Sequence, residues 1–124
     1  MIVEDFPSFR KFVCSKLVQR AELQVVCEVA DGLEAVRKAE ILQPDLILLD
    51  IGLPGLNGIE VARRLRDLAP KSKIIFLSQE TSSDFVQQAL GLGAWGYVFK
   101  AHAESDLLKA INAVLSGEQF VSTT

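Results

Sequence analysis

Apolar positions in this chain fall into five short runs, each followed by residues whose apolar members recur at helical spacing. The clearest run is Leu46-Ile47-Leu48-Leu49, which ends on Asp50 and is followed by a loop, Leu53 to Gly58, containing Pro54 and Gly55. A continuous apolar run bounded in this way reads as a strand buried on both faces. Asp50 then stands at its carboxyl end, and a charge there needs a partner or a function because burying it alone is costly. Ile2-Val3, ending on Glu4-Asp5, reads as the end of a first strand. It falls short of the usual length of about five residues, which predicts that the strand begins upstream of Met1. Gln24 to Ala30 alternates, with Val25, Cys27 and Val29 on one face, and predicts a strand near a sheet edge. Lys73 to Leu77, ending on Ser78, and Trp95 to Phe99, ending on Lys100, complete the set.

The intervening segments predict helices. Phe9, Phe12, Val13 and Leu17 mark one from Pro7 to Arg20, with proline suited to its first turn. Leu33, Val36, Ile41 and Leu42 mark a second, which ends before Pro44. Asn57 with Glu60 three residues on forms a capping-box pattern for a third, ending by Pro70. A fourth spans Ser83 to Leu92 and stops at Gly93; a fifth spans Glu104 to Leu115, with Gly117 beyond it. Strands alternating with helices imply an α/β fold. The sheet is parallel, has helices on both faces and is connected by right-handed crossovers.

Composition changes this picture little. The 124 residues make one domain, and thirteen basic against sixteen acidic side chains give a net charge of −3. That balance argues against non-specific binding to DNA or to an anionic membrane. Arg63, Arg64 and Arg66 read as a solvated helix face. Cys14 and Cys27 have no metal-type spacing and read as reduced thiols of a cytoplasmic protein. No run reaches the roughly 20 apolar residues of a membrane span, and the N-terminus lacks the form of a signal peptide.

In a parallel sheet all carboxyl ends lie on one edge. Four of the five strands end there on Glu4-Asp5, Asp50, Ser78 and Lys100, and together these make a site. Clustered carboxylates repel unless a cation sits among them, and few oxygen ligands suit Mg²⁺. Lys100 adds a compact positive charge and Ser78 a hydrogen-bond donor. Such a pocket fits a tetrahedral dianion, with a carboxylate placed to attack a phosphoryl group.

With these motifs the chain resembles the receiver domain of two-component response regulators. The resemblance runs through Ile2-Val3-Glu4-Asp5, Asp31-Gly32-Leu33-Glu34-Ala35, Pro44 to Asp50, Leu53-Pro54-Gly55-Leu56-Asn57-Gly58-Ile59-Glu60, Ser78, Ala89 to Tyr97 and Lys100. Gly93 to Lys100 and Ser116-Gly117-Glu118-Gln119-Phe120 are most similar to the LuxR/NarL-FixJ-like branch. The resemblance implies a flavodoxin-like (βα)5 fold of strand order 2-1-3-4-5. Residues 1–120 would form the receiver, and residues 121–124 the start of a linker to an output domain not encoded here. It implies that Asp50 accepts phosphate from a sensor histidine kinase and that Asp5, Asp50 and the Gly52 carbonyl bind Mg²⁺, with Glu4 acting through water. Lys100 would pair with phosphoryl oxygens, Ser78 would swing towards them and Tyr97 would change rotamer. The face of the fourth helix, fifth strand and fifth helix would signal onwards. The full-length protein would regulate transcription through a helix-turn-helix absent from this segment, which itself contacts no DNA and no membrane. A homodimer is compatible with this reading. It implies no enzyme beyond self-phosphorylation and slow acyl-phosphate hydrolysis.

Departures from the family pattern include Ala101 where proline usually follows the lysine. A non-proline cis bond costs about 2.5–4 kcal/mol, so a trans Lys100–Ala101 bond is expected. Gln79 stands where a small residue is common, and Gly52 and Glu80 flank the site. Three other functions compete. A phosphohydrolase of the haloacid-dehalogenase type needs Asp-x-Asp, whereas this chain has Asp50-Ile51-Gly52. A flavodoxin-like cofactor binder needs a phosphate-cradling loop. A binding module that has lost phosphorylation would not need Asp5, Asp50, Ser78 and Lys100 together.

Overall fold

The structure, a computed structural model, describes residues 1–123. Its order is β1 (Ile2–Val3), α1 (Pro7–Leu17), β2 (Glu28–Val29), α2 (Gly32–Leu42), β3 (Leu46–Asp50), α3 (Gly58–Leu68), β4 (Lys73–Ser78), α4 (Ser83–Gly91), β5 (Gly96–Phe99), α5 (Ala103–Leu115) and β6 (Phe120–Val121). A 3₁₀ turn, Lys100–His102, joins β5 to α5. All strand pairs are parallel, in the order β2-β1-β3-β4-β5-β6. The predicted order 2-1-3-4-5 is therefore present, with one strand added at the β5 edge.

The pleat divides the sheet between two cores. Val3, Ile47, Leu49, Phe76, Tyr97 and Phe99 face α2, α3 and α4, where they meet Ala35, Ala39, Val61, Leu65 and Ala89. Ile2, Leu48, Ile75, Leu77 and Val98 face α1 and α5, against Val13, Leu107, Ala110 and Ile111. Both faces of β3 are covered, which is why its sequence is a continuous apolar run.

The helix caps follow the sequence. Asp31 accepts a hydrogen bond from the Glu34 amide, Asn57 from Glu60 and Ser82 from Phe85. Gly93 and Gly117 hold positive φ just past α4 and α5, where the chain must reverse. Arg63 and Arg64 lie exposed on α3 and pair with Glu60, and Arg66 is exposed beside them. Cys14 and Cys27 are free thiols.

Three expectations need correction. α1 ends at Leu17, three residues before Arg20, because the chain breaks into turns that close on Lys16 and Leu17. β2 is not the seven-residue strand Gln24–Ala30: only Glu28 and Val29 join the ladder. The pairing with Ile2 and Val3 of β1 stops there, so the alternation of burial runs on through Leu23 to Val26 without a ladder beneath it. A cleft of about 420 Å³ lies beside this stretch, at the strands' amino ends and away from Asp50, lined by Leu23, Val25, Leu46 and Leu115 among others. Finally, Phe120 and Val121 form β6 where no strand was expected. Val121, Ser122 and Thr123 belong to the segment read as a linker; its last residue, Thr124, lies outside the described residues.

Candidate functional site

The carboxyl ends of β1, β3, β4 and β5 bring Glu4, Asp5, Asp50, Ser78 and Lys100 to one edge, as their strand positions predicted. β1 delivers Glu4, which is fully buried, and Asp5, which is half-buried. β3 delivers Asp50, 6 % exposed. One carboxylate oxygen from each of the three lies within 4.8 Å of the others.

Lys100 answers part of this negative charge. Its Nζ stands 2.7 Å from Glu4 Oε1 and 3.5 Å from Asp50 Oδ1, and rests 4.8 Å from the Phe9 ring centroid. Glu4 is held further by the Phe6 amide, which donates to Oε2 at 3.0 Å, and Arg10 Nη1 donates to the Glu4 carbonyl at 2.7 Å. Burial nevertheless pushes the Glu4 carboxyl above its ordinary pKa. The hydrogen bonds from Lys100 and Phe6 oppose the shift and the Asp50 charge adds to it. Three crowded carboxylates with one reluctant to ionise fit a divalent cation, whose charge would relieve the repulsion.

The loop after Asp50 is built around a close approach. The Gly52 amide donates to Asp50 Oδ1 at 3.2 Å and the Gly58 amide to the Ile51 carbonyl at 2.8 Å. A Cβ at Gly58 would lie 2.2 Å from the Asp50 carbonyl oxygen, whereas one at Gly52 would meet nothing within 4 Å. α3 can therefore start against the end of β3 only because residue 58 lacks a side chain.

Ser78 is buried, and its Oγ accepts the Glu80 amide at 2.9 Å. A hydroxyl that accepts one bond keeps its own proton free to donate. Tyr97 is fully buried between Phe76 and Phe99, and its hydroxyl donates to the Glu80 carbonyl at 2.8 Å. Burial pushes its pKa up, with the neighbouring Ser78 hydroxyl acting the other way. Ser78 and Tyr97 thus grip the same residue from two strands. Gln79 is exposed. No peptide bond among the described residues is cis, so Lys100–Ala101 is trans as expected.

Sequence reasoning missed Phe9 and Arg10 as neighbours of the site. The α1 segment was read for its apolar face, and Phe9 lies on that face. A guanidinium in the first turn of the helix that follows a buried acidic strand end was the available signal.

The Response regulator receiver domain family model matches residues 1–112. The nitrate/nitrite response regulator protein NarL of Escherichia coli strain K12 is 35 % identical over 122 residues, covering 98 % of this chain and 56 % of that protein. The chain thus spans about half the length of the curated relatives it matches. A two-component response regulator of the LuxR family from Aurantimonas sp. SI85-9A1 superposes with a TM-score of 0.91 at 34 % identity, covering 97 % of this chain and 86 % of that one. The isolated REC domain of RcsB from Salmonella enterica serovar Typhimurium, solved with the phosphomimetic BeF₃⁻, gives 0.91 at 26 % identity, covering 98 % and 90 %. With the parallel sheet, the acidic edge and the lysine facing it, the chain belongs to the response regulator receiver domain family, in its LuxR/NarL branch.

Proposed function

We propose that this chain is a phosphoacceptor switch in which Asp50 receives a phosphoryl group from a sensor histidine kinase. The observation that carries the reading is the position of Lys100, 3.5 Å from Asp50 inside a cluster of three carboxylates. An Asp50 oxygen attacks phosphorus and forms the O–P bond as the donor's P–N bond breaks, and the freed imidazole leaves with the bond's electron pair. Lys100 turns from Glu4 to the new phosphoryl oxygens, and the Ser78 hydroxyl donates to another. Glu4, Asp5, Asp50 and the Gly52 carbonyl are the groups that would hold Mg²⁺, Glu4 through water; the ion supplies charge neutralisation for the dianion. The chain turns over no separate substrate, and slow hydrolysis of its own acyl phosphate resets it.

In the cell this reading places the domain in the cytoplasm, with a histidine kinase as donor and a second copy of itself as a possible partner. DNA contact and control of transcription belong to a helix-turn-helix domain in a longer protein, as the relatives' greater length and names support. The test is a titration with Mg²⁺ and beryllofluoride, followed by Trp95 fluorescence and Tyr97 resonances. Wild type should respond, and Asp50→Asn should abolish the response, because the amide offers no anionic oxygen to bond the beryllium. A wild type that gives no response sinks the reading.

A further inference from the structure

β6 is attached to the sheet by a side-chain clamp as well as by pairing. Its register sets Phe120 beside Gly96 and Val121 beside Tyr97. The Phe120 amide donates to the Trp95 carbonyl at 3.1 Å and the Ser122 amide to the Tyr97 carbonyl at 2.9 Å. The ladder then stops, and a side chain takes over. Ser122, 3 % exposed, accepts the Phe99 amide on its Oγ at 3.1 Å and donates from that oxygen to Asp106 Oδ2 at 2.7 Å. Asp106 lies near the start of α5, and its other oxygen accepts from Ser105 Oγ at 3.2 Å. One hydroxyl thus joins the end of β5, the start of α5 and the segment after α5. Phe99 immediately precedes Lys100, and Tyr97 carries the hydroxyl bonded to Glu80.

We propose that Ser122 and Asp106 form a latch that positions the Tyr97–Lys100 segment and ties residues 120–122 to the state of Asp50. The inference rests on the phosphoacceptor reading and adds a regulation to it. Its sign follows from pre-organisation. The latch fixes the main chain on which Lys100 stands, and that lysine is already beside Asp50. Closing the latch favours a phosphoryl group, and by reciprocity a phosphoryl group on Asp50 tightens the latch. Ser122 and Asp106 are positioning residues, since neither touches Asp50.

The experiment uses the 124-residue chain, Mg²⁺ and beryllofluoride, with amide exchange at Phe120 and Ser122 as one readout and beryllofluoride affinity as the other. In wild type, beryllofluoride should slow exchange at both amides at least about threefold. Ser122→Ala and Asp106→Ala should weaken beryllofluoride roughly five- to tenfold, the scale of one charge-assisted hydrogen bond only partly coupled to the site. Asp106→Asn, which keeps an acceptor for the serine, should recover most of that loss. Recovery separates positioning from a general loss of folding. The latch is overturned if exchange at Phe120 and Ser122 ignores or accelerates with beryllofluoride while Trp95 and Tyr97 respond. It is equally overturned if the alanine variants bind within about twofold of wild type, the scatter expected for uncoupled sites. Silence of Trp95 and Tyr97 in wild type points instead to failure of the phosphoacceptor reading, and the coupling falls with it.

Discussion

Glu4 is the most deeply buried carboxylate of the site. Its carboxyl is fully buried, one oxygen meets Lys100 and the other an amide, yet burial still raises its pKa above the ordinary 4.5. The folded protein therefore keeps a proton at pH values where the unfolded chain has lost it. The stability this contributes is complete below pH 4.5 and is lost as pH rises through the raised value. A thermal-unfolding series without metal should show that decline, and Glu4→Gln should remove it; identical slopes in the two proteins would contradict this account. Metal coordination runs the other way, because only the ionised carboxylate helps to hold a cation. Mg²⁺ should therefore weaken by up to about tenfold per pH unit below the raised value, and should flatten the stability curve above it.

Elements differ in how far their partners could be foreseen. β3, β4 and β5 were legible because long apolar runs need only the rule that both faces are covered; Asp50 and Ser78 followed as the terminal residues of β3 and β4, and Lys100 as the residue just past β5. β2 was misjudged because alternation reports burial, whereas membership of a ladder depends on a neighbour of matching length. The ladder pairs Glu28 and Val29 with Ile2 and Val3 and does not reach Gln24, Val25 and Val26. Amide exchange should expose the difference: Gln24 to Val26 should exchange at least about 100-fold faster than Leu48 and Leu49 in β3, if local pairing governs protection. Comparable protection would mean that the unpaired stretch is held by something other than the ladder. β6 was not legible at all. Two residues give no period, and Ser122 looks like any linker serine until Asp106 is seen across from it.

At the scale of the whole molecule, two cores share one sheet, and the site sits where the sheet's carboxyl edge is free of both. Ligands that bind only the folded edge add to global stability by mass action. Mg²⁺ with beryllofluoride at a hundredfold excess over its dissociation constant should raise unfolding free energy by about 2.7 kcal/mol, read as a shift in urea midpoint at constant slope. Asp50→Asn should show none of it. The loop that follows Asp50 also sets the terms on which this domain can diversify. Any side chain at residue 58 must displace the main chain of Asp50 itself, whereas residue 52 opens onto free space. Variation beside Asp50 can therefore enter at position 52 at little structural cost, while position 58 is closed to it. An engineer altering this edge inherits the same one-sided freedom.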